Sequence, residues 1–153
     1  MKELIKSLHT GNYSCVVRNL DGTYTFSKRG VADLYDMVKN KPNFLKGSLI
    51  ADKIVGKAAA ALMILGGVQK IYTNVISLSA LILLRDTGIE TDFGRVVPFI
   101  QNKDETDWCP LERKCYNETS AKAILPLIED FISNMKNQKL EFSEVEVDKP
   151  NIC

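Results

Sequence analysis

Two short stretches hold residue types and spacings that do chemistry at a helix start. The first is Asp52-Lys53-Ile54-Val55-Gly56-Lys57. Read as the opening of a helix from Asp52 to Leu65, it makes Asp52 an N-cap with its carboxylate on free backbone amides. Lys53 and Lys57 then lie one turn apart near the positive end of the helix dipole. That costs roughly a few tenths of a kcal/mol each unless an anion compensates. Gly56 on the adjoining face admits close approach of a backbone or a ligand. Amides plus two lysines make an anion site, and Asp52 adds a general acid or base. The plainer alternative leaves Asp52 as a cap and both lysines in solvent. The Gly56-Lys57 pair is not a P-loop: Ala51 stands where its first glycine belongs and Ala58 where Ser or Thr is needed.

The second stretch is Cys109-Pro110-Leu111-Glu112. Proline suits the first helical position, so Cys109 is placed at a helix N-terminus, where the dipole favours the thiolate. Glu112 has the capping-box spacing to reach back to the Cys109 amide, and is equally a candidate acid or base. Trp108 either walls a pocket or packs. A buried structural cysteine in a helix cap is the competing reading. A third group, Arg18, Lys28 and Arg29 around the Asp21-Gly22 turn, either lines a phosphate site or is a solvated hairpin end. Ser77 caps a further helix and joins the candidate binding residues Lys53, Gly56, Lys57 and Trp108. The candidate catalytic residues are Asp52, Cys109 and Glu112.

Bulk properties narrow the function classes. The chain has 153 residues, 20 Lys+Arg against 19 Asp+Glu, and is 45% hydrophobic, which suits one globular domain with its own core. A net charge of +1 argues against a bulk-charge nucleic-acid binder. The longest apolar run, Ala58 to Val68, falls short of the about 20 residues a membrane span needs. His9 is the single histidine, and Cys15, Cys109, Cys115 and Cys153 show no CxxC pair. A Ser-His-Asp triad and a histidine-rich metal site are therefore not expected, nor is a cofactor. With no signal-peptide pattern, a cytoplasmic location with reduced thiols is the expectation.

These side chains must be placed by elements that the residue pattern suggests. Residues 2–9 read as a short helix, 13–19 and 23–27 as a hairpin, and 31–39 as a helix. The helix at 52–65 follows, its second half apolar all round and so central. A strand at 69–75, a helix from Ser77 to about Arg85, and a strand start at 89–91 come next. Residues 96–100 suggest another strand, demoted to an edge by Pro98. A helix starts at Thr119 or Ser120 and is kinked or restarted by Pro126. The reading is an α/β domain over residues 1–136, three-layered (α-β-α), with a mixed sheet of about five strands. Residues 137–153 read as a polar, acidic tail, flexible or a terminal strand.

Taken together, Lys28-Arg29-Gly30-Val31, Phe44-Leu45-Lys46-Gly47, Ala51 through Ala59, Val75-Ile76-Ser77 and Cys109-Pro110-Leu111-Glu112 resemble an uncharacterised bacterial family, domain of unknown function 1893. The resemblance runs from about Leu4 to Asn117, and implies a cytidine deaminase-like fold. Such folds invite a zinc deaminase reading, which the residues do not support. Ala51-Asp52-Lys53 stands where H-x-E or C-x-E is needed, and Ser77-Leu78-Ser79-Ala80 where P-C-x-x-C is needed. The resemblance further implies a pocket at the starts of the two central helices, here Asp52/Lys53 and Ser77, with Cys109 and Glu112 folded over it. The functional expectation is a zinc-independent enzyme acting on a small anionic or nucleotide-like molecule. The alternative is a non-catalytic module binding such a ligand, and a homodimer is compatible with either.

Overall fold

The computed structural model describes residues 1–145, with side chains described through residue 138. The element order is α1 (Lys2–Thr10), β1 (Cys15–Asn19), β2 (Gly22–Phe26), α2 (Ala32–Asn40), β3 (Leu49–Val55), α3 (Lys57–Gly66), β4 (Lys70–Ser77), α4 (Leu78–Leu84), β5 (Glu90–Val97), α5 (Pro110–Cys115) and α6 (Ala121–Val145). The five strands form one mixed sheet in the order β2-β1-β3-β4-β5. The hairpin and the β1–β3 pair are antiparallel, whereas β3–β4 and β4–β5 are parallel. Each parallel connection runs through a helix, as parallel pairing requires.

The helices cover both faces. On one, Leu4 and Leu8 of α1 pack on Val16 and Ala51. On the other, the main core joins Val17, Ile50 and Ile71 to α2, α3, α5 and α6. Helix α3 sits at its centre, with Lys57 through Met63 all buried. Its four consecutive alanines let neighbouring helices come close, and Gly67 in the left-handed conformation (φ 78°) ends it. Among the described residues no helix is long and apolar enough to cross a membrane.

The sheet has a phase change that bears on the site. Ile50 and Val55 on β3 are five residues apart yet share the main core, as do Ile71 and Ile76 on β4. Strict alternation would send each pair to opposite faces. The paired registers step past Lys53, Asn74 and Gly94, one on each parallel strand. A Cβ at Gly94 would lie 2.7 Å from the Asn74 carbonyl oxygen, so only glycine fits that crossing.

Three expectations are corrected. Asp52 is not a helix cap: it lies inside β3, opposite Cys15 of β1, and α3 begins only at Lys57 with Gly56 as N-cap. β-Branched Ile50, Ile54 and Val55 win the segment for the sheet, and the helix starts where the alanines do. Residues 90–91 and 96–97 belong to one strand, β5, at the sheet edge, ending just before Pro98. Helix α6 runs on to Val145, so residues 137–145 form no terminal strand. Residues 146–153 lie outside the described residues.

Candidate functional site

A cavity of about 430 Å³ opens between the hairpin, the end of β3, α2, the start of α3 and α6. That is the size of a small-molecule site. Its apolar walls include Phe26, Val31, Met37, Ala58, Phe131 and Met135, and its polar lining includes Ser14, Cys15, Lys28, Arg29, Asp33 and Asp52.

Asp52 is 9% exposed, and no cation pairs with it among the described residues. Burial pushes its carboxyl up to about 7. The Ile54 amide donating to Oδ1 (3.1 Å), the Cys15 thiol and the Lys53 amide pull it back down. A carboxylate has about four acceptor positions, so these donors leave room for a ligand. Cys15 is buried, and burial beside Asp52 raises its thiol well above the usual range. It is a hydrogen-bond donor to Asp52 here, not a nucleophile.

Glu112 behaves differently from its sequence reading. It is 2% exposed and does not bond the Cys109 amide, which donates instead to the Ile100 carbonyl. Oε1 accepts from the Lys57 amide (3.0 Å), Ser77 Oγ (3.2 Å) and Ser79 Oγ (3.2 Å), and Oε2 accepts from the Ile100 amide (2.7 Å). The α5 carboxylate thus caps α3 from outside, and the anion expected at that helix start is supplied by the chain itself. Ser77 caps α4 by accepting from the Ala80 amide.

The two lysines also part company. Lys53 is on β3, and its Nζ donates to Asn12 Oδ1. Lys57 is buried, and its Nζ donates to the Tyr116 carbonyl (2.7 Å), the C-cap of α5. Burial lowers its pKa. The pair is therefore not an anion clamp one helical turn apart, and the unfavourable dipole argument for it disappears.

Of the candidates, Asp52, Lys53, Gly56, Lys57, Cys109 and Glu112 line the cavity, whereas Ser77 and Trp108 do not. Trp108 stacks on Phe99 with ring centroids 4.3 Å apart and meets Tyr116 edge-on. Cys109 is buried and is not a free thiol. Cys115 is buried, and burial and Glu112 push its thiol up to about 11. Of the three basic residues of the hairpin, Lys28 and Arg29 line the cavity, while Arg18 pairs with Glu3 elsewhere. Asn12, Ser14, Cys15 and Asp33 also line it, without any spacing in the sequence that singles them out.

Among the described residues no three His, Cys, Asp or Glu side chains group to hold a metal ion. Asp52 lies on a strand and Ser77 is the cap of α4, so the two segments expected to carry a deaminase's zinc ligands do not fit a zinc ion.

The sequence signature described as Domain of unknown function (DUF1893) matches residues 3–132. This chain belongs to the DUF1893 family. The crystal structure of a DUF1893 family protein from Thermotoga maritima, TM1506, is similar to it with a TM-score of 0.75 at 26% identity, covering 85% of this chain and 90% of that one. No curated protein matches the chain. The DUF1893 signature spans the hairpin, α2, β3, the start of α3, α5 and the first half of α6, and so all of the cavity lining except Met135 and Lys136.

Proposed function

We propose that this DUF1893 protein binds a small anionic or nucleotide-like molecule in the cavity and acts on it by metal-independent acid–base chemistry at Asp52. One observation carries the reading: a buried carboxyl without a cationic partner shares one cavity with Lys28 and Arg29, which have no hydrogen-bond or ion-pair partner among the described residues. An isolated buried charge is costly, so a ligand that brings a hydrogen-bond donor to Asp52 relieves it, while the exposed Lys28 and Arg29 are open to its anionic group. A carboxyl titrating near 7 exists in both forms at neutral pH, as an acid–base group needs. The apolar walls fit the uncharged body of such a molecule.

The alternative is a binding module without turnover. It gains from the engagement of Glu112 by four donors and from Cys109 not being a free thiol, which removes two of the three groups first assigned to chemistry. The experiment is a thermal-shift screen of phosphorylated and carboxylated metabolites against the wild type and a K28A/R29A variant, followed by mass spectrometry of each bound compound. Binding that the double variant weakens at least about tenfold supports the site. Conversion of the ligand that D52N abolishes supports catalysis, whereas a ligand recovered unchanged selects the binding module. Stabilising ligands that ignore Lys28 and Arg29 overturn the reading.

A further inference from the structure

Strand β5 is an open sheet edge of eight residues, and six of them, Glu90 and Asp92 through Val96, are exposed. Its ladder bonds run only to β4, and among the described residues no other backbone group reaches its outer side. Natural edges are blunted by brevity, by charged side chains (lysine above all), by bulges or by proline. The opposite edge, β2, is short at five residues. β5 carries no lysine, its proline comes only after its last residue, and it exposes Phe93 and Val96. Next to it in sequence and in contact with it, α4 turns Leu78 (50% exposed) and Ile82 (51%) to solvent, four residues apart on one helical face.

We propose that this edge is the interface between two copies of the chain, paired antiparallel through β5 with α4 packing beside it. The charge order of the strand selects a second copy. Acids occupy its first half, Glu90 and Asp92, and Arg95 its second. Lys70 of β4 lies 3.2 Å from Glu90 and 3.8 Å from Asp92, and Arg95 has no ion-pair partner among the described residues. Antiparallel pairing about a twofold axis runs the acidic half of each strand beside the Arg95 half of the other, whereas parallel pairing sets like charges together. The strand is therefore complementary to itself in one direction only, as an isologous contact requires. The exposed Leu78 and Ile82 supply the apolar part that a stable interface needs at its core.

The test is the mass of the full chain by size-exclusion chromatography with light scattering at about 50 μM. The expected result is a species of twice the 17.1 kDa chain mass. R95E and I82E each weaken the dimer at least about tenfold, the first by setting like charges on facing halves and the second by charging the apolar part. These positions are exposed, and circular dichroism checks that each variant is folded. A wild type that is monomeric leaves the edge to a different protein and overturns the proposal. A dimer that either single variant leaves intact overturns it as well.

Discussion

Two buried carboxylates in this protein have opposite roles, and their donors show why. Glu112 is surrounded by four donors that it satisfies and that satisfy it, so it holds the starts of α3 and α4 and the Ile100 segment together. E112A leaves those buried donors without an acceptor and is expected to cost about 3–5 kcal/mol, read as a lower urea midpoint. Asp52 is only partly compensated, and its carboxyl is raised from 3.8 to about 7. The folded state then holds a proton between those values that the unfolded state has released. Stability therefore falls as pH rises from about 4 to about 7 and levels off above, by up to about 4 kcal/mol from this group. D52N removes that slope: it matches the wild type near pH 4 and exceeds it in unfolding free energy at pH 8, as urea titrations across that range would measure. A wild type whose slope is unchanged by D52N would show that Asp52 ionises normally.

At the scale of elements, one glycine decides the geometry of the cavity. Gly56 ends β3 and caps α3, and a Cβ there would lie 3.1 Å from Ile100 Cγ1 and 3.3 Å from Glu112 Oε2. G56A is therefore expected to destabilise by about 1–3 kcal/mol by pushing on the carboxylate that caps the helix, again measurable by urea unfolding. The same glycine explains what was legible beforehand. The Ser77 cap, the Pro110 helix start, the hairpin at Asp21-Gly22 and the central, all-round apolar helix follow from local rules, because each signal lies within a few residues of its effect. The β3–α3 boundary does not. Asp52 and the alanines read together as a capped helix, and only pairing with β1 and β4, distant in sequence, commits Asp52 to the sheet. Glu112 misled for the same reason: its partners on α3, α4 and the Ile100 segment lie 12 to 55 residues away.

Over the whole molecule, an α/β domain with a five-stranded mixed sheet places its cavity on the face that α2, α3 and α6 cover. Asp52, Lys53, Gly56, Lys57, Cys109 and Glu112 do meet there, although the helix starts after Gly56 and not at Asp52, and its anion is Glu112. Trp108 packs with Phe99 and Tyr116 outside the cavity, so W108A is expected to leave any cavity ligand's affinity within about twofold while lowering the melting temperature. The proposed chemistry depends on Asp52 being a buried group that changes protonation near neutral pH within the cavity. The most direct measurement is the carboxyl carbon shift of Asp52 by NMR from pH 3.5 to 9 in the intact protein, assigned with D52N. A midpoint near 7 is the predicted result. A midpoint near the ordinary value of 3.8 would contradict it, leaving a permanently charged side chain and no acid–base group at the floor of the cavity.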